Sequence, residues 1–200
     1  MRRSTAWRRP TLIASGLLIA LTTAAQNAAP ADAHAAAPPA EPPGLWTGPM
    51  VSTTPTTLQG AQVIDLPALE RLMATQPTLL IDVGPADRKP DQLPAGTLWR
   101  PTHRSIPNAH WFPGAGRGDL SDPQAEAWLR RIDALTQGQR DRPIVTFCKP
   151  SCWGSWNAGK RLVQAGYSAV YWFPAGVHGW QERHETAALA PDAAWVSATQ

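Results

Sequence analysis

The sequence predicts one α/β domain, a central parallel sheet flanked by helices, over residues 61–185. Three observations predict it. Short apolar runs rich in β-branched and aromatic residues, clearest at 78–83 and 144–147, read as strands buried on both faces. Segments with apolar residues at helical spacing lie between them. The two kinds alternate along the chain, so each strand returns through a right-handed crossover and the strands run parallel.

Residues 1–33 precede the fold as a secretory leader. Arg2, Arg3, Arg8 and Arg9 form its positive region, residues 12–25 an apolar stretch too short to span a bilayer, and Ala31-Asp32-Ala33 a small-residue cleavage site. The mature chain is expected to begin near Gln26 or His34, in the periplasm, with no membrane span after cleavage; an uncleaved membrane anchor is the alternative. The leader holds four of the 18 Lys and Arg residues and one of the 15 Asp and Glu, so 14 of each sign remain and the mature chain is neutral. The basic pI of about 9.2 belongs to the leader, which removes the main support for a nucleic-acid partner. Residues 34–60, rich in Ala, Pro and Thr, read as a tether followed by an ordered lead-in near Leu45 and Trp46.

Within the domain, residues 61–64 form a first strand. Asp65 caps a helix with Ala68, Leu69, Leu72 and Met73 on one apolar face and Pro67 in its first turn. The strand at 78–83 follows, then a long loop over 84–104 with several prolines, then an extended piece at 105–112 broken by Pro107. Ser121 or Asp122 caps the next helix, which buries Trp128, Leu129, Ile132 and Leu135. The strand at 144–147 leads into a helix carrying Trp156, Gly159, Leu162 and Val163, with Gly166 at its left-handed C-cap. Residues 169–173 make the last strand, and 186–200 read as a C-terminal tail.

Between the strand ending at Phe147 and the helix after it lie both cysteines of the chain, Cys148 and Cys152. A loop entering a helix turns free amides inward, and the helix dipole adds partial positive charge. A thiol held there titrates below the ordinary value of about 8.5. Lys149 pushes the same way, and Cys148 sits at a strand's carboxyl end, where ligands of parallel sheets bind. Cys148 is therefore expected to be the more acidic and faster-reacting thiol. The competing reading is a structural disulfide or two inert thiols. Such a disulfide would close a tiny loop and contribute little chain entropy, although export permits the pair to be oxidised at rest.

Several of these stretches together carry a resemblance. They are Leu79 to Val83, Ser105-Ile-Pro-Asn-Ala109, Ile144 to Cys148, Gly166-Tyr167, Val170-Tyr171 and Gly176 to Trp180. In that order they are similar to a rhodanese domain over residues 63–182. More narrowly, Cys152-Trp153, Ser155-Trp-Asn-Ala158, Tyr171-Trp172 and Pro174 resemble the exported rhodanese-like family named for a Cys-x-x-Cys-Trp motif. Leu93-Pro-Ala-Gly-Thr97 with Trp99-Arg100 fits it too. That family is associated with pyrroloquinoline-quinone (PQQ)-dependent alcohol catabolism. The resemblance implies that Cys148 takes a sulfane sulfur as a persulfide, with Cys152 as a possible resolving thiol. It implies a substrate loop of Lys149, Pro150, Ser151, Trp153, Gly154 and Ser155. Its implied partners are a small sulfur donor or thiol and a quinoprotein alcohol dehydrogenase or cytochrome c system. No cofactor or metal is expected.

The loop departs from an ordinary rhodanese loop in two places. Glycine is frequent at its fourth position and arginine at its sixth; here these are Ser151 and Trp153. Without the guanidinium, an anionic donor such as thiosulfate loses a charge-assisted partner worth about 1.5–3 kcal/mol, so Trp153→Arg is expected to raise thiosulfate transfer. Three residues separate Cys148 from Cys152, which does not reproduce the thioredoxin pattern, and Trp153 stands where a c-type haem site needs histidine. Two cysteines with His103, His110 or His178 match no zinc spacing. Asp82 is expected to accept backbone hydrogen bonds near the loop. Most of the ten tryptophans are expected in the core, with Trp99, Trp111, Trp156 and Trp172 as candidates for a pocket wall. Two function classes follow: a sulfur-handling or thiol-redox enzyme, and a rhodanese shell that binds a partner without turnover.

Overall fold

The computed structural model describes residues 37–87, 89–98 and 102–199. The leader with its cleavage site, and Trp99, fall outside the described residues.

Strand β1 (Gln62–Val63) precedes α1 (Leu66–Thr75). Asp65 caps that helix by accepting the Ala68 N–H at 2.9 Å, and Pro67 occupies a first-turn position that needs no amide proton. Then come β2 (Leu79–Asp82), β3 (His103–Ser105), β4 (His110–Trp111), α2 (Asp122–Thr136) and β5 (Ile144–Phe147). Helix α3 (Trp153–Gln164), β6 (Val170–Phe173), α4 (Gly176–Gln181), β7 (Ala187–Leu189) and α5 (Ala193–Thr199) complete the described chain. Ser121 is the N-cap of α2 and receives Gln124 Oε1 on its own N–H at 3.2 Å. Gly166, with φ of 86°, ends α3: its N–H bonds Val163 O, and the Tyr167 N–H bonds Leu162 O.

Five strands form one parallel sheet in the order β1-β6-β5-β2-β4. Alternate residues of its strands feed two cores, as the two-residue period of a strand requires. Leu79, Ile81, Ile144 and Val170 pack with Trp128 and Ile132 of α2, Leu162 of α3 and Trp195 of α5. Leu80, Val145, Phe147 and Phe173 pack with Leu66, Leu69 and Leu72 of α1 and Trp180 of α4. Register aligns Trp111, Asp82, Phe147 and Phe173 in one row at the carboxyl end of the sheet. The residues just beyond that row build the site.

Three expectations are corrected. Within the stretch expected as a C-terminal tail, residues 187–189 and 193–199 form β7 and α5. β7 pairs antiparallel with β3, and Asp192 bonds the N–H groups of Ala194 and Trp195, starting a helix that buries Trp195. A three-residue strand and a short helix carry too little periodicity to stand out in sequence. Leu129 and Leu135 are only half-buried, since Trp128 and Ile132 fill the inner face of α2. Packing of the tract expected as a tether already involves Glu41 and Pro42. A Glu41 carboxylate oxygen accepts the Gln59 N–H at 2.9 Å, and Lys160 Nζ donates to Pro42 O at 2.7 Å.

Candidate active site

β5 ends at Phe147, and the chain turns through Cys148, Lys149, Pro150 and Ser151 before Cys152 takes the N-cap position of α3. The start of α4 closes on this turn. The Val177 N–H bonds Cys148 O at 2.9 Å, and Gly176 adopts φ of 55° where a Cβ would strike the Cys148 carbonyl and the Lys149 Cα. From the other side the lead-in clamps the turn: Ser52 N–H bonds Ser151 O at 3.0 Å, and Trp153 N–H bonds Met50 O at 2.9 Å. Ser155 Oγ donates to Cys152 O and accepts the Trp172 indole N–H, each at 3.0 Å.

Ser151 has φ of 57°, the left-handed region. This is the fourth loop position, the one where glycine is frequent in rhodanese loops, and the backbone supplies the reason: only glycine enters that region without steric cost. Ser151→Gly is expected to raise stability by about 0.5–1 kcal/mol. A higher urea midpoint at unchanged m-value would establish it, and a lower midpoint would refute it.

The two thiols are free and buried, with relative exposures of 3% and 6% for Cys148 and Cys152. Their acidities are pushed apart: the neighbouring Cys152 thiol moves the Cys148 pKa far up, with burial, the Cys152 charge and the Asp82 charge adding to it against the single Lys149 amide. The neighbouring Cys148 thiol holds Cys152 down to about 7. Burial opposes this, while the backbone amides of Ser155, Gly154 and Lys149 reinforce it. The two shifts run opposite to the expected order, Cys148 upward and Cys152 downward, with Cys152 at the N-cap of α3. The head of a helix carries partial positive charge from its dipole, and the N-cap position there belongs to the second cysteine.

A pocket of about 280 Å³ opens on the Cys148 side. Cys148 and Lys149 line it together with Asp82, His103, Val177 and His178. Larger grooves lie along α2 and beside the α1–β2 turn, and neither contains a cysteine or histidine. Asp82 is fully buried at the end of β2. Its Oδ1 accepts the Gly84 N–H at 2.7 Å, and its Oδ2 accepts the Ser105 hydroxyl and meets His103 Nε2 at 2.6 Å. The backbone acceptor role expected of Asp82 is present, and the histidine contact adds to it. Among the described residues no cluster of three or more His, Cys, Asp or Glu side chains is arranged to hold a metal ion.

The remaining candidates divide between two places. Lys149 reaches the pocket, while Pro150 and Ser151 are exposed on the turn. Trp153, Trp156 and Trp172 form a separate buried cluster with Leu58, under Trp46 and Met50. Trp153 stacks on Trp46 at 4.3 Å, meets Trp156 edge-on at 5.3 Å and donates its indole N–H to Ser52 Oγ at 2.9 Å. Two expectations are thereby corrected. Trp156 and Trp172 are not pocket wall, and position 153 does not present a side chain to a donor, so Trp153→Arg would bury a guanidinium among indoles. Trp111 is also buried, but it backs the pocket indirectly: its ring stacks on His103 at 4.2 Å, and its N–H bonds Gly84 O at 2.7 Å. Sequence reasoning passed over His103, Val177 and His178 as site residues. For Val177 and His178 the available signal was their place in the segment after β6; His103, the first residue of β3, carried no comparable signal.

A parallel α/β sheet that presents a cysteine turn between a strand and a helix defines the class. The family follows: the model of the rhodanese-like domain matches residues 65–183, more than half of the chain, and the chain belongs to that family. Similar solved structures include the human single-domain sulfurtransferase TSTD1, at 22% identity over 62% of this chain and 99% of that one, with a TM-score of 0.39. The polysulfide-sulfur transferase homodimer of Wolinella succinogenes is 22% identical over 64% of this chain and 79% of that one, with a TM-score of 0.40. An uncharacterized protein of Saccharomyces cerevisiae is 18% identical over 61% and 92%, with a TM-score of 0.38. No curated protein matches.

Proposed function

We propose that this chain is an exported thiol protein that loads sulfane sulfur on Cys148 as a persulfide, in a role accessory to PQQ-dependent alcohol oxidation. The observation that carries the reading is that, of the two cysteines, Cys148 alone lines the pocket, beside a second thiol whose pKa is lowered. In loading, a Cys148 Sγ electron pair forms the bond to the sulfane sulfur. The donor's bond to that sulfur breaks, its electron pair leaves with the donor remnant, and the Cys148 proton passes to a base of the site. Cys152 can then attack the inner sulfur, forming the Cys148–Cys152 disulfide and expelling hydrosulfide; a partner thiol reduces the disulfide. The arginine-rich leader supports export, and the Cys152-Trp153 stretch supports the PQQ association.

A second reading, a silent binding shell for a quinoprotein or cytochrome c partner, is favoured by the absence of an arginine among the turn residues and by the burial of Trp153. Exposure of the mature protein to thiosulfate or polysulfide, followed by peptide mapping, separates the two. A cyanide-labile gain of one sulfur atom on the Cys148 peptide supports sulfur handling. An unchanged peptide with both donors sinks that reading and leaves the shell. The accessory role predicts lower PQQ-dependent alcohol oxidation in periplasm lacking the chain, restored by adding it back; unchanged oxidation would remove that role.

A further inference from the structure

Three residues from three segments meet the Cys148 pocket in an order that neither the fold nor the cysteine turn requires. Asp82 ends β2 fully buried, and its two oxygens are committed to the Gly84 N–H, the Ser105 hydroxyl and His103 Nε2. His103 begins β3 with its side chain 20% exposed. One ring edge is fixed on the carboxylate, and one face lies on the buried Trp111 at 4.2 Å with 16° between planes. Cys148, Asp82 and His103 line the same cavity, and the charge of Asp82 is felt at the Cys148 sulfur. An ion pair serving only stability needs neither a fully buried carboxylate nor an imidazole held on both an edge and a face. A nucleophile, an imidazole and a carboxylate orienting that imidazole constitute the general arrangement for activating a thiol.

We propose that His103, positioned by Asp82, is the acid–base group of the Cys148 site. With Nε2–H donating to Asp82, the neutral ring carries its lone pair on Nδ1. Its role in sulfur transfer rests on the reading above. As Cys148 Sγ bonds to the sulfane sulfur, the thiol proton passes to Nδ1 and the donor remnant leaves with the electron pair of the broken bond. The imidazolium then returns the proton to that remnant. In the reverse half, His103 takes the proton of an acceptor thiol attacking the outer sulfur, and gives it to Cys148 as that sulfur departs. No external oxidant or reductant enters either half. A base is needed here because burial and the nearby Asp82 charge hold the pKa of the pocket-lining Cys148 thiol up. The other charged and titratable groups lining the cavity are Asp87, Arg104, Lys149 and His178.

The test uses iodoacetamide on the full mature chain, with alkylation at Cys148 followed by peptide mapping, so it does not depend on sulfur chemistry. His103→Ala is expected to slow alkylation of Cys148 about 100-fold, the lower end of general-base effects. Added imidazole should restore the rate in proportion to its concentration, and methylimidazoles should restore it according to their basicity. His103→Asn, whose amide can still donate to Asp82, should be slowed equally. Asp82→Asn should slow the otherwise native protein yet have no further effect beside His103→Ala, as a positioning residue must. Rates within twofold of the unsubstituted protein, or a loss that imidazole does not restore, would overturn the role of His103, and additive effects would overturn that of Asp82. If imidazole rescue is seen but neither thiosulfate nor polysulfide loads sulfur, His103 stands and the sulfur-transfer reading falls.

Discussion

Cys148→Ala is expected to abolish sulfur loading and to raise the pKa of the thiol that remains. The chain has two cysteines, and only Cys148 lines the pocket. The loss should therefore be complete, with no sulfur gained on the Cys152 peptide. The second effect follows from the coupling of the two thiols. Cys152 is held down to about 7 chiefly by its Cys148 neighbour, with the amides of Ser155, Gly154 and Lys149 adding to it against burial. Removing that neighbour leaves burial opposed by the amides alone, so the titration midpoint of Cys152 moves to higher pH. Thiolate content rises with pH, so at neutral pH the variant should hold less thiolate than the unsubstituted protein.

Cys152→Ser should act in the opposite direction on its neighbour. It removes the neighbouring thiol that holds Cys148 up, so the Cys148 pKa falls from its strongly raised position. Thiolate ultraviolet absorbance against pH reads both shifts, and alkylation mapping assigns them to a residue. A Cys152 midpoint that stays put or falls in Cys148→Ala would mean the two thiols do not act on each other, and the account of the turn would have to be abandoned.

The second large effect is structural. Asn157→Ala is expected to destabilise the protein by about 3 kcal/mol, since each buried polar group left unpaired costs about 1–3 kcal/mol. Asn157 is fully buried on α3. Its Oδ1 accepts the Trp46 N–H at 2.8 Å, and its Nδ2 donates to Trp46 O at 2.9 Å and to Gly116 O at 3.0 Å. One amide thus ties the lead-in and the segment after β4 to the helix that carries Cys152. Alanine strands three backbone groups at once. Asn157→Asp would not be an adequate substitute, because a carboxylate keeps the acceptor but loses both donors and buries a charge.

Thermal unfolding should show Asn157→Ala melting roughly 6–12 °C lower. The Trp46–Trp153 stack beside it should loosen, read as a changed near-ultraviolet tryptophan signal. A variant melting within a degree of the parent would show that the lead-in is held by its indoles and not by this amide.

What the amino-acid order determined by itself was local. The strands at 79–82 and 144–147 are short apolar runs, and the caps at Asp65, Ser121 and Gly166 satisfy helix ends within a few residues of themselves. Alternation of these units dictates a parallel sheet and puts the cysteine turn at its carboxyl edge. Tertiary structure decided the rest. The left-handed turn at Ser151 and the placing of Cys152 at the N-cap of α3 are not specified by residue spacing. Trp153 turns inward because Trp46, more than a hundred residues earlier, lies against it. His103 reaches Asp82 across a long proline-rich loop, and β7 forms only because β3 offers an edge. Contacts within a turn are encoded by neighbours in the chain. Contacts across such distances exist only once burial of two cores has brought the segments together.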